Sequence, residues 1–257
     1  MNNRQKRIIN LLKLQGSVEV DSLSQELQVT TQTIRRDLAE LCDQGLATRT
    51  HGGARRLAAS VSMGYEERRL KNAAGKQQIA QAAAQLIPNG ASVILNIGTT
   101  TEQVATALTL HEDLTVISNN INIIHILRRA RMASLVLIGG TVRTSDGAIV
   151  GEEAVRHISD YKTDFAVIGA SSIDVDGSIL DFDPREVAVA RAILENARTR
   201  ILVIDSAKFD VNAPIRIAKL DNIDFIVTDA PPPQEFQERA HQFGTTILMP
   251  PTETPND

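Results

Sequence analysis

From Ser92 to Leu248 short runs of Val, Ile and Leu alternate with longer stretches of helical period, and this alternation restricts the fold more than any other feature of the chain. The runs 92–96, 114–118, 135–138, 165–169, 201–205, 225–228 and 246–248 read as strands. The stretches 101–110, 119–129, 186–197 and 234–243 read as helices, and the chain after 138 reads as a long loop. A strand covered on both faces has no polar alternation, so nearly continuous apolar strands between helices predict a mainly parallel, Rossmann-like sheet with helices on both sides. At 257 residues and 42% apolar content the chain has material for one large domain or two ordinary ones with a real core.

In such sheets ligands sit beyond the carboxyl ends of the strands. Those ends are polar here. Asn96-Ile97-Gly98-Thr99-Thr100 closes one strand and opens a helix, so free amides, hydroxyls and the positive end of the helix dipole meet there, as a phosphate requires. Other ends carry Ser118-Asn119-Asn120, Gly139-Gly140 with Arg143, Gly169-Ala170-Ser171-Ser172 and Asp205 with Lys208. Each alone also reads as a cap or a bend. Five on one rim favour a site for a polyol phosphate or sugar phosphate.

The first 56 residues are patterned differently. Residues 4–15 form one amphipathic helix, Asp21 or Ser22 caps a second with Leu23 and Leu27 inward, and Thr30 or Thr31 caps a third over 32–44, ended by Gly45. Ile34, Leu38 and Leu41 form the inner stripe of that third helix, which turns Gln32, Arg35 and Arg36 outward. Arg and Gln are the side chains that pair bidentately with guanine and adenine edges, while Thr31 and Thr33 suit backbone phosphates. Residues 46–56 then read as a glycine-turned hairpin, a wing bearing Arg49, His51 and Arg55. This head holds nine Lys or Arg against six Asp or Glu, while the whole chain carries a net −4, so a basic head sits on an acidic body. Asp37 would repel phosphate and is expected to brace an arginine or cap locally.

The segment Thr31-Gln32-Thr33-Ile34-Arg35-Arg36-Asp37-Leu38, with Leu46 to His51-Gly52-Gly53, resembles the DeoR family of bacterial repressors. The resemblance extends over about residues 3–235 through Gly98-Thr99-Thr100, Gly139-Gly140 with Arg143, Gly151-Glu152, Asp176-Gly177 and Lys208. It implies a winged helix-turn-helix DNA-binding domain at 1–56, a linker at 57–65, and an α/β effector-binding and oligomerisation domain at 66–257 whose fold is like that of sugar-phosphate isomerases. It also implies DNA-reading roles for Thr31, Gln32, Thr33, Arg35, Arg36, Arg49, His51 and Arg55. The effector-binding residues it points to are Asn96, Gly98, Thr99, Thr100, Asn119, Gly139, Gly140, Arg143, Gly151, Glu152, Asp181 and Lys208. Within the family, Asp181-Phe182-Asp183, Glu195-Asn196 and Thr228 to Pro233 look most like a branch that answers to glycerol-3-phosphate. Asn96 stands where relatives usually carry Asp, which alters how a hydroxyl is read.

The expected function is therefore a repressor of carbon-catabolism genes, bound to a double-stranded operator as a homo-oligomer and relieved by a phosphorylated polyol or sugar. No cofactor, metal or membrane is expected. The single cysteine, Cys42, and the lack of a long apolar run fit a cytoplasmic protein. The alternative is a sugar-phosphate isomerase with an accessory head, drafting Asp181, Asp183 and Lys208, although Asn96 removes one carboxylate base and Asp205 stands three residues from Lys208, where the two would pair.

Overall fold

The computed structural model describes residues 3–15, 17–43, 47–50, 52–56 and 64–250. These fall into two compact units, 1–64 and 65–257.

In the first unit α1 (Asn3–Gln15) leads through β1 (Ser17–Glu19) to α2 (Val20–Glu26) and α3 (Thr31–Asp43), followed by the hairpin β2 (Ala47–Thr50) and β3 (Gly53–Arg56). Ile8, Leu12, Val18, Leu23, Ile34, Leu38 and Leu41 form one buried cluster, so the stripe on α3 is the inner face of the bundle. The turn between α2 and α3 passes through Gln28 at φ 51°. Strand β1 completes a three-stranded sheet by pairing with β3, and Gly53 is needed there because a Cβ would come within 2.0 Å of the Val18 carbonyl. This strand has too few residues to show a period. Arg4 holds the buried Asp37 with two donors, and Gln5 Nε2 donates to Asp37 Oδ1 at 3.4 Å and to Glu40 Oε2 at 2.7 Å. Asp37→Ala should therefore loosen α1 from α3 and lower the melting temperature of this unit by a few degrees, readable by circular dichroism; an unchanged transition would make the brace superfluous.

The second unit opens with α4 (Tyr65–Leu70) and α5 (Ala73–Ala84). In the sequence alone, Glu66 to Leu86 reads as a single helix with Ile79, Ala83 and Leu86 inward, ended by Pro88-Asn89-Gly90. The two are separated at Asn72, which sits in the left-handed region at φ 51° and donates through Nδ2 to Asp229 Oδ2 at 2.7 Å. Asn tolerates that conformation better than most residues, and its local hydrogen bonding leaves no mark on helical periodicity. Tyr65, read from the sequence as the end of the linker, already belongs to this helix, and the linker's residues 57–63 lie outside the described residues.

The sheet strands are β4 (Ser92–Leu95), β5 (Leu114–Ser118), β6 (Met132–Leu137), β9 (Thr163–Ile168), β12 (Ala197–Val203), β14 (Phe225–Val227) and β15 (Thr246–Leu248). They lie in the order β15-β14-β12-β9-β4-β5-β6, and every pairing is parallel. Alternate residues serve opposite faces. Val93, Leu95 and Val116 pack with α5, α6 (Thr99–Leu108) and α7 (Ile121–Leu127), through Ile79, Val104, Leu108 and Ile123. Ile94, Ile117 and Ile168 pack with α8 (Glu152–Ser159), α9 (Pro184–Glu195) and α10 (Gln234–Gln242), through Ile158, Val187, Ile193 and Phe236. Each fully buried Ile or Leu contributes roughly 1.5–3 kcal/mol, so both helix layers are fixed by the sheet rather than by helix propensity.

The stretch expected as a long loop holds a two-residue hairpin, β7 (Val142–Arg143) with β8 (Ala148–Ile149), and the helix α8. A second small sheet, β10 (Ser172–Ile173), β11 (Ser178–Asp181) and β13 (Ile215–Lys219), is antiparallel. These strands are short, and β13 pairs with β11 across a long separation, which hides them from local patterning.

Candidate DNA-reading helix and effector site

Helix α3 starts on a side-chain cap: Thr30 Oγ1 accepts from the Thr33 amide at 3.3 Å and lies 2.9 Å from Thr33 Oγ1. Gln32, Arg35 and Arg36 are exposed, and Thr31 and Thr33 are half-buried. Arg36 Nε lies 3.5 Å from Glu40 Oε1 with its own side chain 85% exposed, a pairing that solvent leaves weak. Arg35 forms no ion pair among the described residues and presents its guanidinium to solvent. In the hairpin Arg49 is exposed, while His51 and the Arg55 side chain lie outside the described residues. One exposed helix edge thus carries an amide, hydroxyls and two guanidinium groups, the donor set for base edges and phosphates.

In the second unit the strand order reverses its direction of growth between β4 and β9, and the crevice beyond such a reversal is where doubly wound sheets bind ligands. The end of β4 enters α6 through Gly98, whose φ of +135° favours glycine. Thr101 Oγ1 donates to the Gly98 carbonyl at 2.6 Å and tightens the turn, leaving Thr99 and Thr100 in the first helical turn. Lys76, on α5, comes to the same place: its Nζ is 3.0 Å from Thr99 Oγ1 and also donates to the Arg68 carbonyl. Burial pulls the Lys76 ammonium down to about 8, opposed by Asp205 and reinforced by Lys208, Arg68 and Lys71. Lys208, in the 3-10 turn Ser206–Asp210 after β12, is likewise pushed down by burial and then by Arg68 and Lys71, with Asp205 and Asp181 opposing. The expected Asp205–Lys208 pair is a backbone turn, Lys208 amide to Asp205 carbonyl at 3.0 Å; no side-chain ion pair joins them among the described residues. One poorly solvated cation therefore sits on a helix N-terminus with the charge of a second acting on it, an arrangement suited to an anion.

Beside this cradle Asn96 is 4% exposed and Asn119 fully buried, and the Oδ1 of each has no hydrogen-bond partner among the described residues. Asn119 Nδ2 donates to the Ile149 carbonyl at 2.9 Å, which holds the amide plane. Buried acceptors without donors cost free energy that a ligand hydroxyl recovers. Glu102 gathers a second group: Tyr65 Oη donates to Oε2 at 2.7 Å, and Asn120 Nδ2 and Asn122 Nδ2 each donate to Oε1 at 3.0 Å. Burial and then Glu102 raise the Tyr65 phenol.

Arg143 is enclosed by carboxylates. It bonds Asp146 bidentately at 2.8 and 2.6 Å and reaches Glu186 at 2.5 Å and Asp183 at 3.4 Å. Its charge is satisfied by the protein, the Asp146 hydrogen bonds most of all. Asp181 accepts from Ser171 Oγ at 3.0 Å and from the Phe182 amide at 2.7 Å, with its carboxyl raised by burial. Glu186 is raised by burial and then by Asp181. Asp183 caps α9 by accepting from the Arg185 amide at 2.9 Å. Gly139 and Gly140 are exposed at the end of β6. Gly151 and Glu152 border a separate apolar hollow of about 400 Å³ between α8 and α9, and the Glu152 side chain forms no hydrogen bond or ion pair among the described residues.

Two family models match the chain: the DeoR-like helix-turn-helix domain over residues 4–59 and the DeoR C terminal sensor domain over 71–230. The chain belongs to the DeoR family. Among its DeoR-type relatives, the glycerol-3-phosphate regulon repressor of Escherichia coli (strain K12) is 42% identical over 230 residues, 90% of this chain and 91% of that one. The protein of the same name from Haemophilus influenzae is 42% identical over 225 residues, 88% of each chain. The HTH-type transcriptional repressor CsqR of Escherichia coli is 34% identical over 249 residues, 97% of this chain and 95% of that one. Ribose 5-phosphate isomerase from Plasmodium falciparum is similar over 53% of each chain at 14% identity and TM-score 0.38, too slight a likeness to carry an argument.

Lys76, Arg68, Tyr65, Glu102 and Glu186 were not anticipated from the sequence of this DeoR-family chain. Lys76 did leave a signal: it occupies the inner stripe of α5 with Ile79, Ala80 and Ala83, where a buried lysine needs a reason. The others are joined only by long-range packing.

Proposed function

We propose that this DeoR-family regulator is a cytoplasmic repressor whose hold on its operator is released when glycerol-3-phosphate binds the second unit. The contact of Lys76 Nζ with Thr99 Oγ1, with Lys208 acting on the same ammonium, carries this reading, because it presents two cations and a helix N-terminus to one phosphate. The 42% identity to two glycerol-3-phosphate regulon repressors supports the choice of polyol. The open acceptors of Asn96 and Asn119 suit its hydroxyls, and a neutral Asn96 adds no charge repelling the phosphate. Arg143, saturated by carboxylates, orders the loop beside the site rather than holding the anion.

On the DNA side Gln32, Arg35 and Arg36 read base edges, with Thr31, Thr33 and Arg49 on phosphates; self-association of the sensor pairs two heads on repeated half-sites. Release requires the effector to favour one arrangement of the heads, typically by about 1–3 kcal/mol. The test is a gel-shift titration of the purified protein against genomic fragments with glycerol-3-phosphate, other sugar and polyol phosphates, and glycerol added. Selective release by glycerol-3-phosphate is expected. Turnover of a sugar phosphate without DNA retention would instead favour an isomerase. Lys208→Ala should keep operator binding while weakening the effector roughly tenfold, the loss of one charged contact; unaltered release would remove Lys208 from the site.

A further inference from the structure

Helix α4 is the first element after the segment joining the two units, and none of its residues is buried. No apolar face fastens it. Among the described residues two polar ties do: the Tyr65 hydroxyl on Glu102 and Asn122, and the Arg68 carbonyl on Lys76 Nζ. Because the same Nζ also contacts Thr99 Oγ1, α4 is tethered to the floor of the anion cradle rather than to the hydrophobic core.

Arg68 is the irregularity. Its Nε is buried with no partner among the described residues, an arrangement that native proteins avoid unless something else supplies the acceptor. Its charge and that of Lys71 act on both Lys76 and Lys208, so four cations share a space in which Asp205 and Asp181 are the opposing charges on the lysines. Four cations around two carboxylates leave room for a doubly charged anion.

We propose that Arg68 is a ligand of the effector's phosphate, so that α4 closes over an anion held from below by Thr99, Lys76 and Lys208. This rests on the reading of the second unit as a sensor of a phosphorylated effector. It adds that part of the binding free energy is delivered to the element adjoining the DNA-binding unit, where a change of position is transmitted over the shortest length of chain.

The test uses the full-length chain, calorimetric titration with glycerol-3-phosphate, inorganic phosphate and glycerol, and hydrogen exchange across residues 65–71. Arg68→Ala should bind both phosphorylated probes about tenfold or more weakly, with Arg68→Lys intermediate. Arg69→Ala, whose exposed side chain lies 3.6 Å from Glu66, should bind as the unaltered chain does. Saturating phosphate should slow exchange over 65–71 in the unaltered chain, a readout that remains if Arg68→Ala fails to fold. Undiminished binding by Arg68→Ala, or exchange over 65–71 that ignores saturating phosphate, overturns this inference alone. An unaltered chain that binds neither phosphorylated probe overturns the functional reading with it.

Discussion

Lys76→Met is expected to weaken binding of a phosphorylated effector by roughly 10- to 100-fold, the worth of about 1.5–3 kcal/mol for a hydrogen bond to a charged group, without destabilising the chain. On the proposed function the two effects part, because the lysine's charge serves the ligand while the fold gains from it only the hydrogen bonds to Thr99 and the Arg68 carbonyl. Only 4% of it is exposed, and burial brings its ammonium down from 10.5 to about 8. Below pH 8 the native chain and the unfolded chain are both protonated there, and the native state bears the full cost of a poorly solvated charge. Between about 8 and 10.5 the unfolded chain holds more protons than the native one, so this group makes stability rise with pH over that interval. Methionine, similar in length and apolar, removes the cost and should flatten that rise. Denaturant titrations at pH 7 and pH 9.5, paired with calorimetric binding of glycerol-3-phosphate, check both halves. A variant that binds the effector normally, or that unfolds far more readily at pH 7, would make Lys76 a structural residue.

Arg35→Ala should weaken specific operator binding by about 1–3 kcal/mol while changing affinity for unrelated duplex far less. Arg35 is exposed on the second turn of α3, and no ion pair among the described residues neutralises it, so its guanidinium is available for a base edge. Arg36 shares its charge with Glu40 and should matter less for specificity. Gel shifts on operator and random fragments over a range of salt concentrations discriminate: a uniform loss on both, with a shallower salt dependence, would make Arg35 a phosphate contact.

Much of this was legible before any fold was known, and the reason is local. The stripe Ile34, Leu38, Leu41 determines by itself which side of α3 faces outward, because a helix repeats every 3.6 residues whatever surrounds it. The Gly98-Thr99-Thr100 turn is legible because a strand end, a glycine and a helix start are contiguous in sequence. The small antiparallel sheet is not legible locally, since strands of two to five residues such as β10 and β13 have no measurable period and β13 finds its partner β11 far along the chain. The break at Asn72 escaped it because Asp229, 157 residues away, helps to hold that turn.

The amino-acid order alone determined two units of different character, an outward-facing polar edge on the third helix, and an apolar parallel sheet with polar strand ends. Tertiary structure decided which polar groups share a space. Lys76 meets Thr99 and feels the charge of Lys208, whereas Arg143 is drawn away into a ring of Asp146, Asp183 and Glu186. Periodicity assigns a side chain to a face, but only the packing of distant elements sets the few ångströms over which a charge meets a hydroxyl, a carboxylate or an anion, and electrostatic energy is decided at that range.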